Sequence, residues 1–317
     1  MRVTAAGSLP GADFRGALTA MAEALPDLLP LPELPARGVA SAMVGRALGL
    51  VEGLAFDLQP AGWRLTQHSE AEHRRARAQW RHDLDDAEEL LQGFEGALKV
   101  AVAGPWTLAA SVERPAGDRL LADHGARREV AQALAEGIAG LRAELARRLP
   151  GATVVLQVDE PALLAVVAGE IPTASGFGKH RGVDAAEAVE ALRPISDGAL
   201  LHNCAPGPWL DLARRAGFDG VAVDSRLADL DELAQWADER RTLVLGVVDT
   251  SSARRQGVDE LVREALRVLR TIQAEAGDHL VLGTACGMAG WRQDDVVPQL
   301  EALSRAASHV EEELARG

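Results

Sequence analysis

The residues in this chain best suited to chemistry are its two cysteines, each at the end of a short apolar run. Cys204 ends a run that starts at Gly198, and Cys286 ends one that starts at Leu280. His202 lies two residues before Cys204, so on a strand both side chains leave the same face. A lone buried cysteine is usually a small hydrophobe. One nitrogen and two sulfur ligands together suit a zinc ion with one open position, although ligand types alone also allow copper(I) or iron.

Two neighbouring carboxylates form a second candidate site. Asp159 and Glu160 stand directly before Pro161, which ends an apolar run. One interpretation is that a carboxylate binds the cationic group of a small substrate. The alternative is that both acids are solvated or cap the next element. Their position at a predicted strand end favours substrate binding.

Two further segments are candidates for ligand contact. Trp106, in the segment Gly104-Pro105-Trp106-Thr107, either forms a flat wall for a ligand or belongs to the core, and the sequence leaves both open. Ser8 lies in a turn that begins at Gly7, and the backbone N–H groups of such a turn can bind a carboxylate.

Composition narrows the class of protein. The chain has 317 residues, of which 47% are hydrophobic, enough for a large core. Its net charge of −14 argues against nucleic acid or an anionic membrane as partner. No apolar run approaches the roughly 20 residues of a membrane helix. Two cysteines cannot build a disulfide framework, so we expect a cytoplasmic protein.

Alternating strand-like and helical patterns predict a (β/α)8 barrel, an α/β TIM barrel, as one domain over residues 1–317. An open doubly wound sheet is the alternative, but no G-x-G-x-x-G follows the first strand. The proline-rich segment 26–38 is interpreted as an ordered loop. The eight predicted strands are Val3–Gly7, Gly53–Leu58, Leu98–Ala103, Thr153–Val158, Ala199–Asn203, Gly220–Val223, Leu243–Val248 and Leu280–Thr284.

A barrel builds its active site at the carboxyl ends of its strands, and the chemically capable residues fall there. These are Ser8, Trp106, Asp159, Glu160, His202, Cys204, Asp224, Asp249 and Cys286. The fifth, sixth and eighth strands lie close together around a closed barrel. Side chains from all three could therefore meet at one metal ion.

Seven segments in fixed order resemble the catalytic barrel of the cobalamin-independent methionine synthases. They are GSLP, VAGPWTL, LQVDEPAL, LLHNCAP, VAVDSR, GVVDTSSAR and VLGTACG. The resemblance runs from Gly7 to about Trp291 and is to the short, single-barrel branch. The most specific pattern is His-x-Cys followed much later by Cys-Gly.

The resemblance implies a zinc-dependent methyltransferase that transfers a methyl group to a thiol, most directly homocysteine, giving methionine. It implies His202, Cys204 and Cys286 as zinc ligands, with Asp224 as the fourth, catalytic ligand where the family has a glutamate. It also implies that Asp159 binds the substrate ammonium, with Ser8 in the turn that receives the carboxylate.

One departure bears on the methyl donor. The family motif D-x-H-S-P-R corresponds to residues 249–254, and its proton-donating histidine is Ser251 here. A methyl group leaves a folate nitrogen poorly unless that nitrogen is protonated, and general acids supply about 10²–10⁴-fold. We therefore predict a methylated corrinoid, such as methylcobalamin or a corrinoid protein, as donor. Alternatives are transfer to another small thiol, a decarboxylase of the same superfamily, or a non-catalytic zinc- and thiol-binding homologue.

Overall fold

The computed structural model describes residues 1–316, and within them eight strands form one parallel sheet that curls into a barrel. The strands of the chain are β1 Arg2–Val3, β2 Leu28–Pro30, β3 Ala55–Gln59, β4 Gly62–Thr66, β5 Ala97–Ala103, β6 Thr153–Asp159, β7 Ala199–Asn203, β8 Gly220–Asp224, β9 Thr242–Val248 and β10 Leu280–Thr284. The helices are α1 Phe14–Ala24, α2 Met43–Leu48, α3 Ala71–Leu90, α4 Pro105–Ser111, α5 His124–Arg148, α6 Leu163–Val167, α7 Ala185–Leu192, α8 Leu210–Ala216, α9 Leu230–Asp238, α10 Val258–Thr271 and α11 Gln293–Arg316.

The barrel sheet has the order β1-β10-β9-β8-β7-β6-β5-β2, and each neighbouring pair is parallel. The seam between β1 and β2 is joined by single hydrogen bonds instead of a ladder. Thr4 Oγ1 donates to the Leu28 carbonyl at 2.9 Å. Further along, Glu33 N donates to the Gly7 carbonyl at 3.0 Å, and Leu9 N donates to the Glu33 carbonyl at 2.8 Å. The TIM-barrel prediction is confirmed; its extent as one domain over 1–317 stays a prediction.

The prediction for the second strand was wrong. Segment 53–58 lies outside the barrel, where β3 pairs antiparallel with β4 in a hairpin. The second barrel strand is β2, inside the proline-rich segment that was interpreted as a loop. Its three residues are fully buried and pair with β5. Proline excludes a helix, but its fixed φ is compatible with a short extended segment, and Pro30 stands at the end of the strand. The other seven predicted strands each overlap a barrel strand.

The barrel interior changes from apolar to polar along the strands. Residues alternate in direction, so on β6 Val155, Gln157 and Asp159 share one face. Val155 packs against the apolar cluster that fills one layer of the barrel, made of Leu28, Leu200, Ala222, Val244 and Val281. Moving toward the carboxyl ends, the interior then carries Gln157, Asp159 and His202. The barrel interior is therefore apolar in the layer of Val155 and polar at the carboxyl ends of the strands.

Candidate metal and substrate site

The two cysteines and His202 meet at the carboxyl end of the barrel. Cys204 Sγ lies 3.5 Å from Cys286 Sγ, and the ligand atoms of all three residues lie within 4.8 Å of one another. Two sulfurs bound to one tetrahedral zinc at ~2.3 Å would be about 3.8 Å apart. The two sulfurs therefore fit a single ion with only a small adjustment, and the histidine nitrogen lies near the same centre.

His202 is oriented by Asp159. The two residues are register partners on adjacent strands, and Nδ1 of His202 lies 2.8 Å from Asp159 Oδ1. An ionised carboxylate only accepts hydrogen bonds, so Nδ1 carries a proton. The other ring nitrogen, Nε2, lies 3.3 Å from the Ala285 carbonyl, and a metal ion would bind there to the lone pair of the neutral ring in place of that contact. Carboxylate–histidine pairs of this kind commonly orient metal ligands. Burial disfavours the charged imidazole, but the hydrogen bond and charge of Asp159 outweigh it and raise the pKa of His202.

The two thiols are hydrogen-bonded to each other. Cys204 donates to Cys286, and this hydrogen bond, helped by the charge of His202, lowers the pKa of Cys286 to about 6 although burial opposes ionisation. The same hydrogen bond and burial raise the pKa of Cys204. One thiol of the pair therefore ionises more readily than an isolated buried cysteine, and a thiolate is the form that binds a metal.

A cavity of about 100 Å³ opens beside the cluster, and its size suits a small metabolite. The residues that line it are Ala6, Ser8, Glu33, Met43, Ala101, Asp159, Pro161, His202, Asn203, Cys204, Cys286 and Gly287. The structure thus brings Ser8, Asp159 and the three candidate ligands to one space.

Three segments, around Ser8, Glu33 and Gly287, pack closely at one side of this cavity. Ser8 Oγ donates to Glu33 Oε1 at 2.5 Å, and Met288 N donates to the Ser8 carbonyl at 2.7 Å. Gly287 passes so near that a Cβ there would lie 2.6 Å from the Ser8 Cβ, so only glycine fits. The Ser8 turn is consequently locked to the segment that carries Cys286.

Glu33 is a cavity residue that the sequence analysis missed. It is 6% exposed, and burial raises the pKa of Glu33 although the Ser8 hydrogen bond and the charge of Arg46 oppose the shift. The sequence feature that could have identified Glu33 is its position as a lone carboxylate among apolar residues just after a strand. It was overlooked because β2 itself was not recognised.

Two of the predicted substrate residues lie elsewhere. Glu160 is fully buried and accepts from Trp106 N at 2.8 Å, Thr107 N at 2.7 Å and Thr107 Oγ1 at 2.6 Å. It therefore binds the start of α4 and faces away from the cavity. Burial, only partly offset by these hydrogen bonds, raises the pKa of Glu160 to about 7. Trp106 is 2% exposed and donates its indole N–H to the Ala188 carbonyl at 3.0 Å, so neither residue lines this cavity.

Asp224 and Ser251 belong to a network at the rim. Asp224 Oδ1 lies 3.1 Å from Arg226 Nε, and Arg226 Nη1 lies 2.6 Å from Asp249 Oδ2. Ser251 Oγ donates to Asp249 Oδ1 at 2.6 Å. Asp224 is thus paired with an arginine and is not part of the three-residue cluster. Its role as fourth ligand stays a prediction.

The chain belongs to the cobalamin-independent synthase family. Residues 97–309 match the model of that family's catalytic domain, which confirms the resemblance and identifies a family of methyltransferases. Among solved structures the chain is similar to a B12-independent methionine synthase from Shewanella sp. W3-18-1, described in complex with selenomethionine. The identity is 15%, the TM-score is 0.66, and the match covers 99% of each chain; at this identity the likeness shows the fold. No curated protein matches the chain.

No helix within residues 1–316 combines the length and apolar character needed to cross a bilayer.

Proposed function

We propose that this protein is a zinc-dependent methyltransferase that methylates the thiol of homocysteine, giving methionine. The observation that carries the proposal is the convergence of His202, Cys204 and Cys286 beside a cavity that Asp159 and Ser8 also line. A sulfur-binding centre and groups for an amino acid thus share one small space. A cytoplasmic location and a single-barrel organisation are part of the same proposal.

In this proposal His202, Cys204 and Cys286 would hold the zinc ion, with Asp224 or water as the fourth ligand. When bound, the metal supplies Lewis acidity that favours the thiolate form of the substrate at neutral pH. Ligation by Asp224 would compete with its ion pair to Arg226. The chain's own contribution is to fix the His202 ring through Asp159, which reduces the reorganisation needed for binding.

The amino-acid end of homocysteine is assigned to Asp159, Glu33 and the Ser8 turn, which line the same cavity as the three candidate metal ligands. Both internal hydrogen bonds to Asp159, from Gln157 and from His202, go to Oδ1, so Oδ2 retains its lone pairs for an ammonium group. Glu33 offers a second carboxylate nearby. The Ser8 turn is proposed to receive the substrate carboxylate. Two acids in the cavity favour a thiol that carries an amino group over a sulfonate thiol.

For the methyl donor we propose a methylated corrinoid at the cavity mouth, presented free or on a partner protein. The support is the loop after β9, which offers no general acid. Ser251 does not donate a proton near neutral pH. Although burial opposes ionisation, hydrogen bonds from Ser251 and the charge of Arg226 lower the pKa of Asp249, so it stays a carboxylate. At this site a methylated folate would have to lose its methyl group from an unprotonated nitrogen, which is a poor leaving group. A reduced corrinoid is a competent leaving group without a proton.

The proposed function is tested with purified, zinc-loaded protein and homocysteine, supplied with either methylcobalamin or methyltetrahydrofolate. Methionine formed from methylcobalamin supports both the reaction and the donor. Turnover with methyltetrahydrofolate alone, the donor that a cobalamin-independent family suggests, would retain the methyltransferase and refute the corrinoid. Absence of methionine with both donors, in protein shown to hold zinc, would refute homocysteine methylation.

A further inference from the structure

A lysine lies inside the barrel, directly beneath the proposed amino-acid site. The chain has two lysines, Lys99 and Lys179, and arginine supplies its other cationic side chains apart from histidine. Lys179 is exposed, whereas Lys99 is 1% exposed on β5. Lys99 does not line the cavity, so it does not touch a substrate there. A buried ammonium group needs a structural or functional reason, because removing it from water is costly.

The hydrogen bonds of Lys99 lead to the candidate site. Its Nζ donates to the Ala6 carbonyl at 3.2 Å and to Gln157 Oε1. The amide nitrogen of Gln157 then donates to the Ala6 carbonyl at 3.1 Å and to Asp159 Oδ1 at 2.7 Å. Asp159 in turn contacts His202. A continuous chain of contacts therefore runs from Lys99 to two parts of the cavity wall: Asp159, and Ala6, which lies two residues before Ser8.

The chemistry of the ammonium group fixes the direction of this chain. Ammonium has three donors and no acceptor, so it requires the oxygen of Gln157 and turns the amide nitrogen toward Asp159. Without it, the buried Gln157 Oε1 would lose this donor, and the amide would have to shift to find another. Such a shift would change the hydrogen bond from the amide nitrogen to Asp159.

The charges indicate the same arrangement. Burial lowers the pKa of Lys99 to about 8, and the negative charge of Asp159 works against that shift. At neutral pH the ammonium form is retained, with the Asp159 carboxylate as its compensating charge across the Gln157 amide. The negative charge of Asp159 thus favours the ammonium form of Lys99.

We propose that Lys99 is a positioning residue, which acts through the Gln157 amide to hold Asp159 and the Ala6–Ser8 segment in the geometry that recognises the amino-acid end of the substrate. This inference rests on the proposed function for the identity of the ligand. The contact chain itself is independent of that function. Lys99 therefore sets the preference for an amino-bearing thiol and does not take part in methyl transfer.

The test compares homocysteine with 4-mercaptobutanoate, the same thiol acid without the amino group, by calorimetry on zinc-loaded protein. The variants are Lys99→Met, Gln157→Glu and, as the surface control, Lys179→Met. Gln157→Glu keeps a partner for the buried ammonium but removes the donor to Asp159, so it serves if Lys99→Met does not fold. We expect the preference for homocysteine to fall about tenfold, the value of one hydrogen bond, in the two interior variants and to be unchanged in Lys179→Met.

Crystal structures of the same variants separate this inference from the proposed function. We expect the Asp159 side chain to leave its wild-type position in Lys99→Met or Gln157→Glu while the backbone of β6 stays in place. An unmoved Asp159 or an unchanged thiol preference would overturn the inference. If the wild-type protein binds neither thiol, the proposed function is wrong, and the position of Asp159 alone decides the role of Lys99.

Discussion

Replacing Asp159 by asparagine should separate recognition of the amino group from binding of the metal. Asp159 Oδ1 accepts from both Gln157 and His202, so an asparagine that keeps these hydrogen bonds must place its NH2 group where Oδ2 stood. A donor then faces the substrate ammonium in place of a charged acceptor. A hydrogen bond to a charged group contributes about 1.5–3 kcal/mol, so the Kd for homocysteine should rise roughly 10- to 150-fold.

The assay is calorimetric titration of zinc-loaded Asp159→Asn with homocysteine and with 4-mercaptobutanoate, alongside zinc analysis. Affinity for 4-mercaptobutanoate and the zinc content should stay close to wild type, because the acceptor for the His202 ring is retained. Asp211→Asn makes the same chemical change on the exposed face of α8 and should alter neither. Equal losses for both thiols, or loss of zinc, would refute the reasoning and assign Asp159 to the metal centre alone.

Three further predictions concern the metal, a buried charge and a close contact. Cys286→Ser should lower both zinc content and methyl transfer, and a fully loaded, fully active variant would remove Cys286 from the metal shell. Between pH 8 and 10.5 unfolded chains bind more protons at Lys99 than folded ones, so wild-type stability should rise relative to Lys99→Met. Because the pKa of Lys99 falls from 10.5 in the unfolded chain to about 8 in the folded protein, the free energy of unfolding of the wild type should gain about 3 kcal/mol relative to Lys99→Met over this pH range. Denaturant titrations at a series of pH values measure this gain, and parallel pH profiles of the two proteins would contradict it. Gly104→Ala places a Cβ 2.4 Å from Glu160 Oε1 and should cost several kcal/mol, roughly 2–4, of unfolding free energy as buried hydrogen bonds are lost. Gly140→Ala, in open space on α5, should stabilise by up to about 1 kcal/mol, and similar effects of the two changes would contradict the contact.

The convergence of the candidate ligands was predictable from local rules. The two-residue period of a strand puts His202 and Cys204 on one face, and barrel closure brings β10 near β7. Asp159 follows from the same reasoning, because parallel pairing makes it the register partner of His202. These predictions needed only the strand ends and the order of the strands.

Other features depended on contacts that the sequence does not display. Glu160 follows Asp159 directly, so the alternation of a strand sends it to the opposite face, where the start of α4 supplies three donors. The strand-end position alone did not distinguish these two neighbours. The prolines around β2 made its sequence resemble a loop, so the strand was not predicted. Glu33, which follows this strand, was therefore not recognised as a site residue. The pairing of Asp224 with Arg226 depends on side-chain reach and has no signature in the spacing.

The most direct test of the account is X-ray absorption at the zinc edge, recorded on the zinc-loaded protein with and without homocysteine. Two sulfur neighbours and one histidine nitrogen should surround the metal at first, and a third sulfur should appear when homocysteine is added. An unchanged shell of four protein ligands, or a metal without the two sulfurs of Cys204 and Cys286, would contradict the account.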